Sequence, residues 1–345
     1  MTHVALISSP FGPETQSGNW RTASRYAVLL EQAGYVVRLI VGMGDDEDWR
    51  GVDVAIVLHA RRSFAVAQRA GRDRIPYLVV LTGTDLYGDL GPNGSAADRS
   101  VCIDTLRGAR AAIVLQHEAK GSLEQALRKW DVHSCPIHTI LQTSSWAQDA
   151  EHEGGAGTTR CLMVGHIRPE KDPLTGIQGF LAAQAVYPEL RLVHLGGSLD
   201  EALSLRVHDL ARKHPDVLSL QGVVTHAFVR DWMGRSDVLI HPSRSEGGAL
   251  AIAEAIARSL FVLASSIPGN WGVLGGDYPG LFEAGQPKAL SDLLVRLQQD
   301  TRLCNHLREA LHVLRARLCN PQAELKALVD AIEASALKAS ALSRP

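Results

Sequence analysis

The chain has 345 residues, 46% of them hydrophobic, and its 35 Lys and Arg against 37 Asp and Glu leave a formal net charge of −2. That length holds two domains of about 150 residues, each with its own core. The near-neutral balance excludes the basic excess that nucleic acid or an anionic membrane selects, so a small molecule is the expected partner.

The chain opens on MTHVALISSPFG, which lacks a basic leader and breaks at Pro10 and Gly12, so VALIS reads as a first strand and not a signal peptide. A helix is expected over about Thr22–Ala33, then strands in VVRLIV and VDVAIVL, a further helix, and a strand in YLVVLTG. Alternation of this kind means βαβ units and a parallel sheet. The acidic run Asp45, Asp46, Glu47, Asp48 reads as a solvated loop, with metal binding as the lesser alternative. The polar, glycine-rich AQDAEHEGGAGTT, 147–159, reads as an interdomain linker. The pattern then restarts with candidate strands in RCLMVG, LRLVHLGG, VLSLQG, DVLIHPS and LFVLAS. From about Leu290 to Ser340 the period is helical, giving two or three helices with a frayed tail. The expected organisation is an N-terminal Rossmann-like domain over 1–150, a second over 151–325 and a helical tail over 326–345. Ligands of such sheets bind beyond the carboxyl ends of the strands, so two such domains would face one central cleft.

No run of about 18 apolar residues occurs, so no membrane span is expected. The five cysteines (Cys102, Cys135, Cys161, Cys304, Cys319) show no CxxC and no metal-type Cys/His spacing, and the fourteen histidines form no HExxH or HxH. They predict packing thiols in a reducing cytoplasm and neither metal nor cofactor.

The segment richest in chemistry is HPSRSEGGALAIAEA, 241–255, which follows a strand and opens a helix. Backbone N–H groups of Gly247, Gly248 and Ala249, with Leu250 behind them, can face a phosphate at the helix mouth. Glu246 at that mouth and Glu254 about two turns in can accept from sugar hydroxyls; the alternative is a capping Glu246 and a solvated Glu254. In GHIRPEKDP, 165–173, Gly165 again follows a strand, and Arg168 and Lys171 offer the charge that a departing diphosphate needs in place of a metal ion. Two solvated cations are the plainer reading of that loop.

These two segments resemble the GT-B glycosyltransferases that carry a Glu-x7-Glu motif. The resemblance implies an α/β GT-B fold, with Glu254 on the nucleotide ribose, Glu246 on the donor sugar, and Arg168 and Lys171 on the diphosphate. Two departures stand out: His166 occupies the usual arginine position, with Arg168 two residues on, and Thr82 replaces the usual N-terminal histidine. SGNWRTA, LHARRS, VVLTGTDLY, VGHIRPEKDP, PSRSEGGA and ASSIPGNWGVLGGDYPG, taken together in order, resemble the selenosugar synthases of selenoneine biosynthesis up to about residue 285. That resemblance implies a UDP-sugar donor, typically UDP-N-acetylglucosamine, selenophosphate as acceptor, and a 1-seleno-sugar as product once phosphate is lost.

A small, multiply anionic acceptor calls for cations and donors. His59, Arg61 and Arg62 follow the strand VDVAIVL and supply them, although adjacent arginines on a helix diverge and one of the two is expected in solvent. Gly18 and Asn19 sit before a helix, where backbone N–H groups meet the diphosphate or the acceptor; Trp20 beside them reads equally as a core residue. Thr82, Thr84 and Asp85 are candidates to orient sugar or nucleophile, with helix capping the alternative for Asp85. A selenium anion needs positioning more than a base, so the absence of an obvious catalytic histidine is no obstacle. A lipid, polyol or thiol acceptor, a nucleotide-sugar epimerase and a non-catalytic sugar-nucleotide binder are the rival readings. Only Phe64 is aromatic in RRSFAVAQRAGRDR, which disfavours a lipid acceptor.

Overall fold

The computed structural model describes residues 3–42, 48–132, 135–146 and 159–342, with side chains as far as Ser335. Asp45, Asp46 and Glu47 of the acidic run, and nearly all of the expected linker, lie outside the described residues. The chain divides into two compact units, Met1–Gln142 with Pro321–Pro345, and Thr143–Asn320.

The first unit runs β1 (Val4–Ser9), α1 (Gly18–Gln32), β2 (Val36–Val41), β3 (Val54–Leu58), α2 (Phe64–Arg72), β4 (Tyr77–Leu81), α3 (Ala96–Gly108), β5 (Ala111–Val114), α4 (His117–Lys129) and β6 (Ile137–Thr139). Its parallel sheet has the order β2-β1-β3-β4-β5-β6. Strands β3, β4 and β5 are buried throughout, as a sheet covered on both faces requires. Their side chains alternate between two cores. Leu6, Val57, Val79 and Val114 face α2, α3 and α4. Ile7, Ile56, Val80 and Ile113 face α1 and, from the far end of the chain, Leu328, Ala331 and Ile332.

The second unit runs β7 (Arg160–Val164), α5 (Pro173–Gln184), β8 (Arg191–Leu195), α6 (Glu201–Lys213), β9 (Leu218–Leu220), α7 (His226–Gly234), β10 (Val238–His241), α8 (Leu250–Ala257), β11 (Phe261–Ser265), α9 (Pro268–Leu274), β12 (Leu281–Phe282), α10 (Pro287–Gln299) and α11 (Thr301–Leu318). The parallel sheet has the order β12-β11-β10-β7-β8-β9, so the winding reverses between β7 and β10. Helices α5 and α10 meet at Gly179, where a Cβ would come within 2.7 Å of the Pro287 carbonyl oxygen. The last helix, α12 (Pro321–Leu342), belongs to the first unit. It is therefore not the separate tail that the sequence suggested. Its Glu324, fully buried, is held by Arg25 of α1 through Nη2 at 2.6 Å and Nε at 3.0 Å. Among the described residues no helix is long and apolar enough to cross a membrane.

Candidate active site

In the second unit the polar groups gather where the winding reverses, the place at which doubly wound sheets bind ligands. The loop after β7 turns at Gly165, with φ of +153°, and passes through a short 3-10 turn, Pro169–Lys171. The aliphatic stem of Lys171 packs back over Gly165, where a Cβ would meet its Cδ at 3.2 Å. This aims Lys171 at the loop after β10. Its Nζ lies 2.6 Å from Oε1 of Glu246, and Nε2 of the buried His241 lies 2.9 Å from the same oxygen. Glu246 is 8% exposed. Burial pushes its carboxyl up, but the Lys171 ammonium and His241 outweigh burial and hold it well below the usual carboxylate range. Gly165, Lys171, His194, His241 and Ser243 line one small pocket at this edge.

Helix α8 begins at Leu250, after Ala249 has taken the left-handed conformation at φ 42° with no side-chain cap. Gly247, Gly248 and Ala249 thus form the buried approach to the helix, Glu246 lies ahead of the mouth, and Glu254 is in the second turn. Neither glutamate plays the plainer part: Glu246 caps nothing, and Glu254 is 5% exposed with His226 Nε2 at 2.7 Å from its Oε1. The His226 ring is tilted 34° to that of Trp146, centroid to centroid 4.9 Å.

Arg168 is half-buried; its Nε has no hydrogen-bond partner among the described residues and lies 3.9 Å from Glu170. The neighbouring Arg244 is bound by Asp172 at 2.8 Å, and His166 accepts from the Gly197 N–H through Nδ1 at 3.0 Å. The lysine and two glutamates singled out in the sequence therefore share this edge with two histidines, His241 and His226, that nothing in the sequence distinguished.

In the first unit the winding reverses between β1 and β3. His59, Arg61 and Arg62 lie in a turn before α2, not on a helix, so the expectation that one arginine points away by helical spacing does not apply. Arg61 is instead committed to Asp89 at 2.8 Å and Asp98 at 3.2 Å. The Arg62 guanidinium lies 4.7 Å from the Phe11 ring centroid. His59 is buried in the left-handed region, φ 73°, with Nε2 2.9 Å from Thr84 Oγ1. Burial depresses its basicity against the opposing pull of Asp85.

Asp85 lies inside a π-helical turn, Thr84–Asp89, and is fully buried. Its Oδ1 accepts from the N–H groups of Thr82, Gly83 and Leu86, and its Oδ2 from Ala60. Fully buried, it ties the loop after β3 to the loop after β4 and faces backbone donors instead of an open site, in place of the catalytic or capping part expected of it. Thr82, half-buried, has its N–H in the same knot. Gly18, Asn19 and Trp20 form the first turn of α1, not a loop before it, because Ser17 caps the helix by accepting from Trp20 N–H at 3.2 Å.

Residues 145–312, nearly the whole second unit, match the family model of Glycosyl transferases group 1. Over that segment the chain is similar to group 1 glycosyl transferases. The "Glycosyltransferase 1 domain-containing protein 1" of Xenopus tropicalis is 27% identical over 308 residues, covering 83% of this chain and 86% of its own. Among solved structures, Anabaena HepE in complex with UDP and glucose superposes with a TM-score of 0.73 at 15% identity, over 99% of both chains. The pneumococcal O-GlcNAc transferase GtfA, in complex with UDP and GlcNAc, does so at 0.67 and 16%, over 91% of this chain and 60% of that one. The fold is GT-B, two Rossmann-like domains in one chain, and the segment that matches the family model carries the Lys171, Glu246 and Glu254 cluster.

Proposed function

We propose that this glycosyltransferase moves the sugar of a UDP-sugar, UDP-N-acetylglucosamine by expectation, to selenophosphate. The observation that carries the donor half is the Lys171–Glu246 contact with Glu254 behind it, all at the carboxyl edge of the second sheet. HepE with UDP and glucose and GtfA with UDP and GlcNAc support a uridine diphosphate donor. Glu254 takes the ribose and Glu246 a sugar hydroxyl, while Arg168 and Lys171 take the diphosphate. Charge compensation by these two side chains makes turnover without a metal ion or cofactor the expectation.

In the reaction a lone pair on selenium forms a bond to the anomeric carbon. The carbon–oxygen bond to the β-phosphate breaks and its electron pair leaves with UDP. Water then cleaves the selenium–phosphorus bond, releasing phosphate and leaving a 1-seleno-sugar. Selenium arrives already anionic, so positioning suffices and no general base is required. On the acceptor side Arg61, bridged to Asp89 and Asp98, and Arg62 supply the cations for the phosphate, with the N-terminal turn of α1 at Gly18 and Asn19 supplying N–H groups. His59 orients Thr84 in the same region. Both substrates are small polar molecules, and the reading is of a cytoplasmic enzyme with neither nucleic acid nor membrane as partner.

The test is UDP release from UDP-N-acetylglucosamine under anaerobic conditions, with selenophosphate, thiophosphate, phosphate or no acceptor. Selenophosphate-dependent release supports the reading. Equal release in all four arms marks a hydrolase and refutes it.

A further inference from the structure

Two nitrogens converge on one oxygen of Glu246; in the tautomer with Nε2 protonated His241 donates to it, and the same nitrogen lies 3.4 Å from Ser243 Oγ. Lys171 Nζ and His241 Nε2 both reach Oε1, and among the described residues no protein hydrogen bond reaches Oε2. The two donors differ in freedom. Lys171 ends a flexible stem that is 21% exposed, whereas the His241 side chain is 2% exposed at the end of β10. The turn that follows His241 is itself pinned: Ser265 Oγ donates to the Ser243 carbonyl, and Asn270 Nδ2 donates to the Ser265 carbonyl at 2.9 Å and to its Oγ at 3.0 Å. All of these side chains are buried. When a diphosphate draws the Lys171 ammonium, His241 is thus the donor that stays.

We propose that His241 is a positioning residue that fixes the Glu246 carboxylate through Oε1, so that Glu246 meets a hydroxyl of the donor sugar through Oε2 while Lys171 engages the diphosphate. This rests on the donor site proposed above. Its consequence is specific: His241 contributes to binding of the sugar nucleotide and not to binding of UDP alone, which has no sugar for Glu246 to hold. A merely structural histidine would affect both ligands alike.

The experiment measures calorimetric affinities of the full chain for UDP and for UDP-N-acetylglucosamine in wild type, His241→Gln, His241→Asn and His241→Leu. Glutamine places an N–H donor where Nε2 stands; asparagine falls short and leucine has none. The expected result is UDP affinity within about twofold of wild type in all variants, with the sugar nucleotide weakened at least about tenfold in the asparagine and leucine variants and within about threefold in the glutamine variant. Should the leucine variant fail to fold, the glutamine and asparagine pair carries the comparison. Parallel loss of both ligands, wild-type affinity for the sugar nucleotide in the asparagine variant, or failure of glutamine alongside asparagine overturns the inference. Wild-type protein that binds neither ligand takes down the donor site itself, and the inference with it.

Discussion

Lys171 and Glu246, 75 residues apart in the chain, meet at 2.6 Å because β7 and β10 are neighbours in the sheet. The partners are unequal: Glu246 is the more deeply buried, with a side-chain exposure of 9% against 21%. Lys171→Met therefore leaves a buried carboxylate without its cation and with His241 alone beside it, and is expected to cost about 2–3 kcal/mol of stability, whereas Glu246→Gln lets the ammonium turn to solvent and costs less. Urea unfolding of the two variants measures the asymmetry, and equal losses would contradict it.

Arg168 makes no contact of comparable strength, so its removal tests function without disturbing the fold. Arg168→Met is expected to leave stability within about 0.5 kcal/mol and to lower kcat/KM by about 100-fold. A variant that unfolds early would show the side chain to be structural.

His194 lines the same pocket and is 2% exposed. Burial, reinforced by the nearby His166 and His208, pulls its imidazole down to about 4. From the ordinary value of about 6.5 down to that point the unfolded chain takes up a proton that the folded chain refuses. Its contribution is thus fully present above about pH 6.5 and lost as pH falls towards 4, on the order of 3 kcal/mol across the window. Urea midpoints at pH 7.5 and 5 should converge in His194→Phe relative to wild type. An unchanged difference would place the acid sensitivity elsewhere.

Gly269, in the first turn of α9, lets that helix touch the Glu246 loop: a Cβ there would lie 2.2 Å from the Glu246 carbonyl oxygen, backbone against backbone. Gly269→Ala must displace one element or the other, at about 1–3 kcal/mol, with loss of sugar-nucleotide affinity. Wild-type affinity in this variant would show that the loop tolerates the shift.

The strands of both sheets were legible wherever apolar runs alternated with polar turns, and the Glu-x7-Glu pair was legible because a strand, a loop and one helix place it locally. Partnerships across the sheet were not. His241 and His226 look like isolated histidines until the order β7-β10 and the packing of α7 set them against Glu246 and Glu254. The helical period of the last segment was plain, but not that Leu328, Ala331 and Ile332 would cover the first unit's sheet. The apolar period of α1 starts at Thr22, after the first turn, while the capping Ser17 marks the true start four residues earlier, at Gly18. The role of Asp85 is hidden from the sequence for another reason: a π-helical turn has no periodic signature, and its four backbone donors come from two loops.

Mass spectrometry after anaerobic incubation with UDP-N-acetylglucosamine and selenophosphate bears most directly on the proposed reaction. An N-acetylhexosamine product with the selenium isotope pattern is expected, formed only when both substrates are present and accompanied by equimolar UDP. UDP released with no selenium bound to carbon would contradict it.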